Sequence, residues 1–213
     1  EFYKQALVKA DPKALNSPTM VKCLDTLRMV LQYIDKDAPG RDWNLATSMV
    51  IQGKAAMQFM GDWAKGEFVA AGKTYGADYV AMPVPESSEG YLFNVDSFIM
   101  FQVKGKGAQE AQKAMARLIM EPKFQEVFNL NKGSIPVRLG MPHKPFDFPA
   151  ICSFDSFAAT AQSGGLLPSM AHEMAVMPAI RGAIFDVVTH FCNSNLASAE
   201  AAKNLATGVQ SAM

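Results

Sequence analysis

Trp63 stands where a short apolar run passes into a helix. Residues 54–60 are small or apolar apart from Lys54 and Gln58, and glycines flank them at Gly53 and Gly61. That composition predicts a mostly buried strand. Gly61 gives the chain freedom to turn sharply. Asp62 and Trp63 follow at the turn, and 64–71 reads as a helix stopped by Gly72. An indole at the mouth of such a turn is poorly placed for a core and well placed for a ligand. A flat apolar ring carrying one N–H donor suits a sugar, which has an apolar C–H face and a polar rim. A half-buried packing role fits the same residue, and chemistry alone leaves the two readings level.

Three polar side chains could complement that ring. Asp96 lies between two apolar runs, 91–93 and 98–103, which read as strands. An acid there is either paired or points into a cleft, because burying it alone is costly. As a ligand group, a carboxylate accepts hydrogen bonds from two neighbouring hydroxyls. Lys132 supplies donors from a Lys-Gly turn. His172, on a loop of small and apolar residues, donates or accepts. Each also has a plain reading, since loop lysines are usually solvated and lone acids and histidines usually serve structure. Trp43 precedes a helix read from Asn44 to Gln52, as a packing residue or a second aromatic wall, with packing slightly favoured.

A glycoside hydrolase also combines aromatic walls with acids. It needs two carboxylates flanking the bond, one with a raised pKa. Asp62 or Glu67 with Asp96 would be that pair, although nothing in the spacing fixes their separation. A third class is an interaction domain whose Trp and Met residues face a partner protein. The sequence has no Gly-x-Ser-x-Gly elbow and no phosphate-binding Gly-x-x-x-x-Gly-Lys-Ser/Thr loop. Gly105-Lys-Gly107 is too little for a dinucleotide site and reads as a turn.

The elements that must position these groups come from 213 residues, 49% hydrophobic and 19% charged, enough apolar material for a core. Lys plus Arg balance Asp plus Glu at 20 each, which argues against a nucleic-acid or anionic-membrane surface. No apolar run approaches a membrane span. The start, Glu-Phe-Tyr-Lys-Gln, does not read as a signal peptide and is silent on compartment. Cys23, Cys152 and Cys192 form no Cys-x-x-Cys pair and the three histidines have no metal-ligand spacing, so neither a metal nor a cofactor is expected. Cys23 reads as a buried thiol on a helix face, while Cys152 and Cys192 could pair in an oxidising compartment. The fourteen methionines read as core filler.

Ser17 and Pro18 signal a helix start, and Met20, Leu24, Leu27, Leu31 and Ile34 mark its buried face. Further helices are read over 108–120, 122–130, 149–161, 178–191 and 199–212, the last capped by Ser198. Residues 78–83 read as another strand, ended by prolines. Helices outnumbering short strands, with no internal repeat, indicate an α/β architecture.

Several of these pieces also carry a resemblance. The run "GKAAMQFMGDW" resembles the strand-turn motif of the sugar-binding proteins of ABC importers, the large extracellular solute-binding family. "YLFNVDSFIMF", "NKGSIPVR" and "PSMAHEMA" follow in the order and spacing of its glucose/mannose-binding branch. Together they cover nearly the whole chain. The resemblance implies a periplasmic-binding-protein-like two-lobed α/β fold, here mostly the C-terminal lobe with part of the other. Residues 1–96 and 137–213 would belong to the C-terminal lobe and 97–136 to the N-terminal lobe, with hinge crossings near Asp96 and Val137. It implies sugar contacts from Asp96, Lys132 and His172, alongside the stacking read for Trp63, and an aromatic is frequent in that branch around Trp43. It further implies periplasmic, non-catalytic capture of glucose or a similar aldohexose. The expected partners are that monosaccharide, a membrane permease, and the missing N-terminal half of the same protein.

Overall fold

The Oγ of Ser17 accepts from the N–H of Met20 at 3.3 Å, with Pro18 at the first helical position. The local start signal is thus used as it reads: a hydroxyl satisfies one orphan donor and proline presets φ. The computed structural model describes residues 1–213. It contains helices α1 Pro12–Leu15, α2 Pro18–Val30, α3 Trp43–Ile51, α4 Ala64–Ala70, α5 Lys106–Ile119, α6 Pro122–Lys132, α7 Phe148–Ser163, α8 Pro178–Cys192 and α9 Ser198–Ala212. Two strands, β1 Tyr91–Phe93 and β2 Leu166–Pro168, form the one small sheet. Tyr91 N donates to Gly165 O and Ser169 N to Phe93 O, so the strands run parallel. No helix is long and apolar enough to cross a membrane.

The chain folds as two compact units. The first comprises Glu1–Lys36, Leu92–Asn94 and Leu166–Met213. Its core joins Leu15, Met20 and Leu24 to Ile184, Phe191, Ala201, Ala202, Leu205 and Val209. The α9 residues recur at steps of about one helical turn, and Gly208 of α9 faces Ala183 and Val187 of α8. The Arg28 guanidinium sits 3.9 Å over the Phe191 ring and donates to the carbonyls of Ser194 and Leu196. The second unit comprises Asp37–Tyr91 and Val95–Gly165 and holds α3 to α7.

The strand expectations need correction. Residues 54–60, 78–83 and 98–103 form no ladder. A strand exists only through a run of hydrogen bonds to a neighbour, and these runs offer no more than one isolated bridge, Tyr79 to Tyr75. The stretch 54–60 is also not buried: Met57 is 73% exposed. Cys23 is exposed rather than buried, because the apolar face is set by Met20, Leu24 and Leu27 and a residue one position off that line points about 100° away. All three cysteines are free thiols. Two caps also move. Asp42 is the cap residue of α3, while Asn44 Oδ1 accepts from Leu45 N, and Ala197 rather than Ser198 precedes α9.

Candidate functional site

The turn that carries Trp63 is built by three successive short-range hydrogen bonds. Ala64 N donates to Gly61 O, Lys65 N to Asp62 O and Gly66 N to Trp63 O, at 3.0 to 3.1 Å. Gly61 is not in the left-handed region. Its role is space: a β-carbon there would meet the indole of Trp63 at 2.1 Å. The ring therefore folds back over Gly61, half-buried. The sequence marks the glycine, but the reason for it is the indole and not a special φ.

Lys132 ends α6, and Gly133 closes that helix at φ 86. This glycine is constrained twice. Its φ favours a residue without a β-carbon, and such a carbon would lie 2.6 Å from Gly66 N and 3.1 Å from Trp63 O. A β-carbon on Gly66 would in turn meet Lys132 O at 2.7 Å. The Trp63 turn and the Lys132–Gly133 turn are thus in backbone contact, which is why α4 and α6 pack together.

Asp96 completes the group. Its Oδ2 pairs with Lys132 Nζ, a half-buried ammonium on a largely exposed carboxylate. Lys132 Nζ also lies 5.8 Å from the Phe128 ring centroid. Of the two fates open to Asp96, pairing is the one observed. The pair presents acceptors and donors side by side, next to the turn that carries an aromatic ring.

Trp43 opens α3 in the same unit, its side chain exposed. Its carbonyl accepts from Thr47 Oγ1 and Gln58 Nε2, both at 3.0 Å, and Gln58 Oε1 accepts from the buried Thr47 hydroxyl at 2.7 Å. This network ties the start of α3 to the run leading into Trp63.

His172 belongs to the first unit. Its Nδ1 lies 2.8 Å from the buried Ser169 hydroxyl, which sets the ring's orientation. Tyr3 braces the same loop: its hydroxyl donates to Pro168 O and accepts from Met170 N, both at 3.0 Å. Arg181 adds an ion pair to Glu173 at 2.7 Å.

Beneath the Trp63 turn is a buried polar group that sequence reasoning missed in part. Burial pushes the Asp62 carboxyl above the usual carboxylate range, and the Lys65 charge and bonds to the Trp63 backbone and the Ser153 hydroxyl pull it back. Tyr91, bonded to Ser153 as well, is pushed up to about 12 by burial and then by the Asp62 charge. Lys65 is 6% exposed and pairs with Asp147 at 2.5 Å. No local signal could reveal this partner, which lies 82 residues away.

Residues 2–122 match the bacterial extracellular solute-binding protein family. The chain belongs to that family. As a solute-binding protein it is 44% identical, over its whole length, to the probable sugar-binding periplasmic protein of Brucella suis, of which it covers 50%. It is 34% identical over 199 residues to an uncharacterized ABC transporter extracellular-binding protein of Pyrococcus horikoshii, covering 42% of it. It is 30% identical over 167 residues to the xylose/arabinose-binding protein XacG of Haloferax volcanii, covering 35% of it. This solute-binding chain spans about half the length of the curated relatives it matches.

Proposed function

We propose that this chain takes part in reversible, non-catalytic capture of a monosaccharide, glucose or a similar aldohexose, for delivery to the membrane permease of an ABC importer. The observation that carries the reading is the Asp96–Lys132 pair, held beside the Trp63 turn by the Gly66–Gly133 contact. A sugar needs an apolar face covered and its hydroxyls satisfied. Trp63 would stack on the ring, Asp96 would accept from adjacent hydroxyls and Lys132 would donate to a ring or hydroxyl oxygen. His172, oriented by Ser169, and Trp43 would add one polar and one aromatic contact. The names of the relatives support a sugar and a periplasmic location. One of those names specifies pentoses, so the aldohexose class is the finer part of the proposal.

The lobe assignment belongs to the same reading. Residues 1–96 and 137–213 would lie in the C-terminal lobe and 97–136 in the other, with the half of such a protein outside this chain as a partner. The length of the relatives supports the further half. The hydrolase alternative has no support: the relatives carry binding-protein names, and its shared carboxylate, Asp96, is paired with Lys132.

Calorimetric titration of the full-length protein with glucose, mannose, galactose, xylose and arabinose tests the reading. Glucose or a close aldohexose should bind tightest. Trp63→Ala should weaken binding by about 1–3 kcal/mol, the scale lost with a large aromatic contact. Unchanged affinity in a folded variant would remove Trp63 from the site.

A further inference from the structure

Lys65 is a buried cation that the sugar reading does not use. It is 6% exposed, so it cannot meet a ligand in solvent, and its Nζ is held by Asp147 Oδ1 at 2.5 Å. Asp147 is at the same time the cap of α7: its Oδ1 accepts from Ala150 N at 3.0 Å. One carboxylate oxygen therefore joins the first turn of α4, two residues past Trp63, to the first turn of α7.

Neighbouring contacts show what this joint fixes. Gly66, the next residue, lies against Lys132 O. Phe68 stacks on Tyr79 with ring centroids 4.3 Å apart. The start of α4 is thus pinned at Lys65, Gly66 and Phe68. Only the Lys65 contact is a charge-assisted bond, with its partner fixed by a helix cap. The other two set a distance without a directional bond, since one is a backbone van der Waals contact and the other a ring stack.

We propose that Lys65 is a positioning residue for sugar recognition. Through Asp147 it sets the orientation of the α4 start, and so the angle of the Trp63 indole and the place of Lys132 beside it. This rests on the reading of Trp63 and Lys132 as sugar contacts. Lys65 itself touches no ligand.

The test uses the full-length protein labelled with 5-fluorotryptophan, the Trp63 resonance being assigned by Trp63→Phe. Lys65→Met keeps the volume and removes the charge. Asp147 is then left with a side chain 36% exposed that water and Ala150 N still satisfy. Asp147→Asn keeps an oxygen for the α7 cap and removes the charge from the other side. Each variant should weaken glucose binding about tenfold, since small misplacements of binding groups are costly. Each should also move the Trp63 resonance. The double variant should bind no worse than either single one, because both remove the same joint.

An unmoved Trp63 resonance in Lys65→Met overturns the inference. So does parental affinity in both single variants while Trp63→Ala binds poorly, an outcome that leaves the sugar reading standing. If Trp63→Ala binds glucose normally, the sugar reading fails, and the inference about binding fails with it.

Discussion

A β-carbon on Gly61 would lie 2.1 Å from the indole of Trp63. No real contact is that short, so any side chain at 61 must move the ring or the chain. Gly61→Ala is therefore a test of ring placement that leaves the indole chemistry untouched. We expect a stability loss of about 1–3 kcal/mol, the usual cost of overpacking, and a sugar affinity approaching that of Trp63→Ala. Urea denaturation and calorimetry read the two effects separately. Parental affinity in Gly61→Ala would mean that the orientation of the ring does not matter.

The glycine itself was legible in the sequence, and so were the helices. Their signals are local: Ser17-Pro18, Pro122, Pro178, Gly133 and Gly164 all act within a turn of where they stand. The strands were not legible in the same way. Residues 98–103 have the composition of a strand, but pairing is a property of two segments, and no second segment of this chain pairs with them. The site was legible as residue types. Its geometry was not, because Asp96 finds Lys132 across 36 positions and Lys65 finds Asp147 across 82.

Tyr91 gives a pH signature. Its folded pKa is raised from 10.0 to about 12, first by burial and then by Asp62. A raised folded pKa means that the native state holds the proton after the unfolded chain has released it. The contribution is fully present below pH 10 and is lost as pH rises toward 12. At most about 2–3 kcal/mol is at stake, from 1.36 kcal/mol per unit. Tyr91→Phe keeps the edge-on packing against Phe157, at 5.5 Å between centroids. It should flatten the fall in stability between pH 10 and 11, measured by urea denaturation at each pH. An equally steep fall in the variant would assign the alkaline loss to other groups.

Ser169 offers a test of the His172 loop. Its buried hydroxyl holds His172 Nδ1 at 2.8 Å, while Tyr3 fixes the backbone on either side. Ser169→Ala should therefore remove this bond to the imidazole without unfolding the loop. The net worth of such a bond is about 0.5–1.5 kcal/mol, so glucose affinity should fall about two- to tenfold. The melting temperature should move little. A large fall in melting temperature with unchanged affinity would give the hydroxyl a structural role alone.

The apolar runs left without a ladder have a consequence for the 213-residue chain by itself. Ile99 is 77% and Phe101 75% exposed, and Phe98 and Met100 are exposed as well. Phe98 also meets Phe128 edge-on at 6.5 Å, and Phe128 stacks on Phe124 at 5.7 Å. The result is an aromatic and aliphatic surface in the second unit, next to backbone that joins no ladder and whose Phe101 and Val103 carbonyls accept only from the side chains of Gln112 and Gln109. Both features invite association, the first by burying apolar area and the second by templating a strand. The isolated chain should therefore run as dimers or larger species in size-exclusion chromatography with light scattering, in a concentration-dependent way. Ile99→Lys with Phe101→Lys should shift it toward monomer, since charges on an exposed edge oppose pairing. The full-length protein should be less prone to associate, because the proposed remaining half would cover this surface. A parental chain that stays monomeric at high concentration would show that the surface is not adhesive, and would remove this support for the lobe assignment.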